Sequence, residues 1–216
     1  NNVPLLLNEQ SLSLKFNGLI EKETRGVFKT LNFDLRQYGK LDMFLHAENG
    51  FPGEFIKDND LNAVIRIGSD FVSNYYEIRI PLKMTKWGTT DSLGIWPEVN
   101  NLSLDLQELV RLKTRRNKGT SPAQYYSEMI GDRKFAIIGN PNLGEVKGLF
   151  MGLENLKLEP ITAEIWYNEL RLSHLDEKGG WAAIGRLDII GADLLNISAS
   201  VGARSAGFGT LEQKVN

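Results

Sequence analysis

The sequence predicts an all-β protein. Residues 1–175 read as a jelly-roll-like antiparallel β-sandwich with one short helix. Residues 176–216 read as a linker, a β-hairpin of the kind derived from transmembrane barrels, and a tail. Three observations carry this. Apolar and polar residues alternate with period two through most of the chain, as half-buried strands require. Turn-forming residues interrupt the alternation at intervals. Composition changes after Asp176-Glu177-Lys178-Gly179-Gly180, where charge thins out and small residues take over.

Taken in order, Leu12, Leu14 and Phe16 alternate with Ser13, Lys15 and Asn17. Val27, Leu31, Phe33 and Leu35 share the next phase. Leu41, Met43, Leu45 and Ala47 lie opposite Asp42, His46 and Glu48. Leu61, Ala63, Ile65 and Ile67 follow, then Tyr76, Ile78, Ile80 and Leu82 against Glu77 and Arg79. Asn49-Gly50-Phe51-Pro52-Gly53, Asp58-Asn59-Asp60 and Gly68-Ser69-Asp70 supply the turns. Asp105 with Glu108 forms a capping-box pattern ahead of Leu106, Leu109 and Val110, which predicts a helix of two to three turns. Its basic end suits a helix C-terminus, and Gly119-Thr120-Ser121-Pro122 is a loop. Strands resume at Phe135–Ile138 and, after the turn cluster Gly139–Gly144, at 146–153 and 161–172. In the last strand Ile161, Ala163 and Ile165 share a phase that Leu170 and Leu172 leave, so a β-bulge is expected near Tyr167–Asn168.

The tail repeats the period with smaller residues. Leu195, Ile197, Ala199, Val201 and Ala203 form one apolar face against Asn196, Ser198, Ser200, Gly202 and Arg204. Ala183, Leu187 and Ile189 do the same against Arg186 and Asp188, with Asp193 in the turn. Each run is close to the roughly nine to eleven residues a tilted strand needs to cross a bilayer. An amphipathic hairpin packed on the sandwich has the same period, so pattern alone leaves both readings open.

Composition narrows the function classes. The 216 residues carry 25 basic and 27 acidic side chains, a net charge of −2, with 42% hydrophobic residues. That is enough for a core, and no basic field exists to hold nucleic acid. Cysteine is absent, which removes disulfides, thiol catalysis and cysteine-bound zinc, and suits a protein that crosses an oxidising periplasm. No run approaches the length of a membrane-spanning helix. The start at Asn1-Asn2-Val3-Pro4 leads us to expect a cut from a longer precursor.

Few residues suggest chemistry. His46 and His174 are far apart and lack a marked third partner, so structural or solvated roles are expected. Glu164 and Glu169 share one strand, whereas glycosidases set two carboxyls across a cleft. Trp87 and Trp96, in a Gly-, Thr- and Pro-rich stretch, can stack on a sugar or partner or cap their own core. Arg111, Lys113, Arg115 and Arg116 can meet lipid headgroups or an acidic partner, or be a solvated helix end. Asp58-Asn59-Asp60 fits a calcium site or simply a turn. Gly139–Gly144 lacks the Lys-Ser/Thr of a nucleotide loop. No cofactor and no metal is expected.

Several strings belong together: Leu41-Asp-Met-Phe-Leu-His-Ala-Glu48, Leu61-Asn-Ala-Val-Ile-Arg-Ile-Gly68, Tyr75-Tyr-Glu-Ile-Arg-Ile-Pro-Leu82, Gly139-Asn-Pro-Asn-Leu-Gly-Glu-Val146, Glu164-Ile-Trp-Tyr-Asn-Glu-Leu-Arg-Leu172, Asp176-Glu-Lys-Gly-Gly-Trp-Ala-Ala183 and Ser205-Ala-Gly-Phe-Gly-Thr-Leu-Glu-Gln213. Across essentially the whole chain they resemble the SprA/Sov family, the gliding-motility-associated translocon of type IX secretion. The resemblance implies a fragment of a very large outer-membrane β-barrel that exports folded cargo proteins and is not an enzyme. It implies partners in a PorV-type shuttle barrel, a plug protein, an inner-membrane motor and cargo, with outer-membrane lipid around residues 181–204. On that footing the leading expectation is a non-catalytic structural and interaction domain of a translocon. A carbohydrate-binding jelly-roll module of a surface protein is the alternative, and a jelly-roll glycosidase or lyase the third.

Overall fold

The computed structural model of the chain describes residues 11–175, 182–191 and 195–204. The chain divides into two compact units, which meet between Leu175 and Asp176. In the first unit the alternation becomes two antiparallel sheets. One has four strands in the order β1 (Leu12–Leu19), β10 (Ile161–Leu175), β3 (Tyr38–Asn49) and β6 (Leu102–Asp105). The other has six, in the order β2 (Thr24–Phe33), β9 (Val146–Asn155), β4 (Leu61–Gly68), β5 (Tyr75–Pro81), β8 (Arg133–Ile138) and β7 (Tyr126–Ile130). The chain crosses repeatedly between the sheets: β1, β3, β6 and β10 belong to the first, and every strand between them to the second. The expected all-β sandwich is therefore what forms.

The expected alternating residues make its interior. Leu41, Met43, Leu45 and Ala47 of β3 and Ile161, Ala163, Ile165 and Tyr167 of β10 share one core with Leu61, Ala63, Ile65 and Ile67 of β4 and with Tyr76, Ile78 and Ile80 of β5. Burial of each leucine, isoleucine or methionine among them contributes about 1.5–3 kcal/mol. Tyr167 crosses the core: its hydroxyl donates to the Gly152 carbonyl of the opposite sheet at 2.7 Å, and burial pushes its phenol well above the usual range. The expected bulge in β10 is present. Its register against β3 shifts between Asn168 and Arg171, and Glu169 takes a positive φ of 51°.

Two departures have plain causes. β2 is an edge strand, so Val27 and Phe33, apolar by phase, stay exposed. Leu35 lies beyond the end of β2 and is buried from a loop instead. Glu77 and Arg79 sit on the outer face of the six-stranded sheet, as their phase requires, yet Glu77 is fully buried. Its carboxylate accepts from Arg66 Nε and Arg79 Nε, both at 2.7 Å, and from the Tyr125 hydroxyl at 2.8 Å. Arg79 also pairs with Glu154, which accepts from Asn62 Nδ2 at 2.9 Å. The Arg66 guanidinium lies 4.8 Å from the Tyr75 ring centroid and 5.2 Å from that of Phe150. Phe150 lies against the sheet because Gly152 is beside it: a Cβ there would stand 2.8 Å from its ring.

The helix is α2 (Leu106–Arg116), following a short α1 (Ser92–Ile95) and a 3₁₀ turn at Glu98–Asn100. Asp105 caps α2 by accepting from Gln107 N at 2.9 Å. Glu108 pairs with Arg111 and Arg115. Leu106, Leu109 and Leu112 are buried against the sandwich.

The second unit contains β11 (Ala182–Gly191) and β12 (Leu195–Arg204), an antiparallel pair in continuous register from Ala182–Arg204 to Gly191–Leu195. The two strands pair antiparallel, as their alternation predicts; the segment between them lies outside the described residues. Ile184 and Val201 are highly exposed.

Candidate functional site

Histidine, tryptophan and carboxylate side chains come together on the outer face of the four-stranded sheet. Register sets Trp166 of β10 beside His46 of β3, and Glu164 beside Glu48. Ring centroids of His46 and Trp166 are 4.3 Å apart. The segment after β5 then folds over this row. Thr85 N donates to the Ala47 carbonyl at 2.7 Å, Asp91 caps α1, and Trp96 comes down at 6.4 Å from Phe44, 6.0 Å from His46 and 6.3 Å from Trp166.

His46 pins that segment. It is 2% exposed, and its Nδ1 lies 2.7 Å from the Ile95 carbonyl. A carbonyl only accepts, so Nδ1 carries the proton. Nε2 is buried, 3.5 Å from Glu48 Oε2 and without a hydrogen-bond partner. Glu164 accepts from Ser13 Oγ at 2.5 Å and Trp166 Nε1 at 2.6 Å. Burial raises its pKa, but these bonds, with Lys15 and His46, hold it below the ordinary carboxylate value. His46→Phe keeps the ring volume and removes the bond to Ile95. It is expected to cost about 1 kcal/mol in thermal denaturation and to speed amide exchange across residues 86–96.

The other candidates are dispersed. Trp96 belongs to the cluster and caps its own sheet, whereas Trp87 is 54% exposed on the same segment. His174 is exposed, 3.2 Å from Ser173 Oγ. Glu169 pairs with Arg171 at 3.0 Å, so it and Glu164 do not converge. Arg111 pairs with Glu108 and Asp105, and Arg115 with Glu128 at 2.7 Å. Arg116 is fully buried and holds the Gly139 carbonyl at 2.8 Å and Asn140 Oδ1 at 3.1 Å. Lys113 donates to the Pro141 carbonyl at 2.9 Å, beside a cleft of about 210 Å³ floored by Leu35, Tyr76, Leu106 and Leu143. The four cations thus split into two pairs: Arg111 and Arg115 share Glu108, and Lys113 and Arg116 hold the loop at 139–141. Asp60 accepts from Lys57 N within the turn, and Asp58 ties the turn to the segment after β5 by accepting from Met84 N. Among the described residues no group of three metal-ligating side chains forms.

Sequence reasoning missed Trp166, Phe44 and Glu48. Phe44, His46 and Glu48 share the outward phase of β3, which is visible in sequence; what places Trp166 beside them is the β3–β10 pairing, more than a hundred residues apart. The site offers aromatic walls and carboxylates already in hydrogen bonds, an arrangement suited to holding a segment in place.

Fold and site together define a β-sandwich protein with an appended hairpin. The chain belongs to the SprA family of motility related/secretion proteins, whose model matches residues 4–216. No curated protein matches it.

Proposed function

We propose that the chain is a non-catalytic structural and interaction domain of an outer-membrane translocon that exports folded cargo in type IX secretion and gliding motility. In this reading the sandwich is a jelly roll, with strand order β1-β10-β3-β6 facing β2-β9-β4-β5 and β8-β7 added at one edge; β11 and β12 are strands of the pore wall. Family membership supports a cell-envelope role in motility or secretion. The observation that carries the finer reading is the hairpin: two ten-residue strands in unbroken register, alternating in sequence between apolar and mostly polar or small residues, as a barrel wall does. The shuttle barrel, plug protein and cargo are the proposed partners.

These 216 residues hold no cysteine, so none within them competes with an introduced one. Val201→Cys and Ser200→Cys are placed singly in the full-length protein in intact outer membranes. Val201→Cys is expected to resist a water-soluble maleimide and to react with a lipid-soluble one, while Ser200→Cys reacts with the water-soluble reagent. Equal reaction of both with the water-soluble reagent would remove the barrel-wall reading.

A further inference from the structure

Exposed apolar side chains gather at one end of the sandwich. Ile20 follows β1, Phe51 and Phe55 lie between β3 and β4, and Leu156 and Leu158 lie between β9 and β10. Phe55 is 71% and Leu158 82% exposed, and the other three are exposed as well. The registers Leu19–Ile161, Asn49–Ala163, Thr24–Glu154 and Leu61–Asn155 put all three loops at the same end. The chain leaves the sandwich at the opposite end, where Leu175 pairs with Tyr38.

These loops are tied to one another. Asn155 is fully buried between them. Its Nδ2 donates to the carbonyls of Leu19 and Glu159, and its Oδ1 accepts from Lys157 N, each at 2.8 Å. Its backbone exchanges bonds with Lys22 and Glu23, while Leu156 N donates to the Asp60 carbonyl at 2.9 Å. The tips are therefore presented on a pre-ordered frame, so little ordering entropy remains to oppose docking.

Lysines flank the most exposed tips. Lys57 Nζ lies 5.9 Å from the Phe55 ring centroid, and Lys157 Nζ donates to the Phe55 carbonyl at 2.8 Å. Among the described residues neither is paired with a carboxylate. Of the carboxylates in these loops, Glu21 pairs with Lys22 and Glu23 with Arg25, while Asp58, Asp60 and Glu54 keep their charge but turn it toward the N–H groups of Met84, Lys57 and Thr162. Glu159 is exposed. Apolar tips with unpaired ammonium groups beside them match a headgroup–acyl boundary, where lysine stems lie along apolar surface and their charges meet phosphate.

We propose that this loop crown docks on a lipid leaflet, with Phe51, Phe55 and Leu158 entering the acyl layer and Lys57 and Lys157 meeting phosphate headgroups. The proposal rests on unit one alone and does not depend on the hairpin being barrel wall. The test is flotation of the 216-residue chain with phosphatidylcholine vesicles, with and without phosphatidylglycerol. F51S/F55S/L158S is expected to lower partitioning at least about tenfold, given the apolar area withdrawn, and I184S/V201S to leave the crown's share intact. F55W is expected to add fluorescence quenched by lipids brominated on the acyl chain beyond that of the unsubstituted chain's four tryptophans, a readout that stands even if the triple variant fails to fold. Absence of vesicle binding overturns the proposal. So does partitioning abolished by I184S/V201S but untouched by the triple variant, or an F55W that adds no quenched fluorescence. A triple variant that dissociates an oligomer in sedimentation velocity without changing vesicle binding would assign the crown to another copy of the chain, and overturns it too.

Discussion

Glu77→Ala is expected to destabilise the sandwich by about 3 kcal/mol, measured as a lower urea midpoint. Removing one partner of a buried ion pair leaves uncompensated charge and costs about 3–5 kcal/mol. The low end applies because the side chains of Arg66 and Arg79 keep 20% and 21% of their exposure. The loss propagates, since Arg79 also bridges to Glu154 and the Tyr125 hydroxyl donates to the same carboxylate. The pH dependence has a defined sign. Burial raises the Glu77 pKa, but Arg79 and then Arg66 outweigh it and hold the folded value below 4.5. The group therefore contributes fully above its unfolded value and loses that contribution as pH falls below 4.5 through the folded value. The variant's penalty should shrink over that acid range; a penalty constant from pH 7 to pH 3 would contradict the network.

Asn155→Ala is the second large effect. It leaves the buried carbonyls of Leu19 and Glu159 and the Lys157 N–H without their side-chain partner. Unmade bonds of this kind cost about 1–3 kcal/mol each, and partial relaxation brings the expected total to about 3 kcal/mol in denaturant unfolding. Asn155→Asp is nearly isosteric yet replaces the donor with acceptors facing carbonyls, so at neutral pH it should be at least as damaging and should recover on acidification. The Lys22 amide should exchange faster in both, and the Lys157 amide in Asn155→Ala, since Asn155→Asp keeps an acceptor for it. Unchanged exchange there would mean that the loops are held by something other than this side chain.

What could be read from the chain was what period-two alternation and local turn chemistry record. Leu61, Ala63, Ile65 and Ile67 announce a buried face by themselves, and the broken phase of β10 announces its bulge. Asp105 announces the helix start because capping is a local hydrogen bond. Strands β6 and β7 were not read. The first is four residues ahead of a helix, and the second has no buried residue to mark a face. Glu77 and His46 followed the expected phase, yet both are buried on outward faces. Their covers are Tyr125 and the two arginines in one case, and Trp96 from a folded-back segment in the other. Neither cover is a property of the strand's own residues. The candidate site was legible only in part for the same reason: Trp96 stood out as a loop aromatic, while the Trp166–His46 stack depends on which strands pair. The basic run at 111–116 reads as one charge feature, but helical geometry divides it between Glu108, shared by Arg111 and Arg115, and the 139–141 loop, held by Lys113 and Arg116.

β10 is the longest strand of the first unit, an interior strand flanked by β1 and β3, and its last residue is where the chain leaves the sandwich. That position has a mechanical meaning. Tension applied at Leu175 along the strand acts parallel to β10, so its hydrogen bonds to both neighbours bear the load together in shear. An edge strand pulled sideways would release its bonds one at a time, like a zipper. In a protein of motility and secretion, the sandwich is held at this point through a strand that leaves only when its bonds to two neighbours break together.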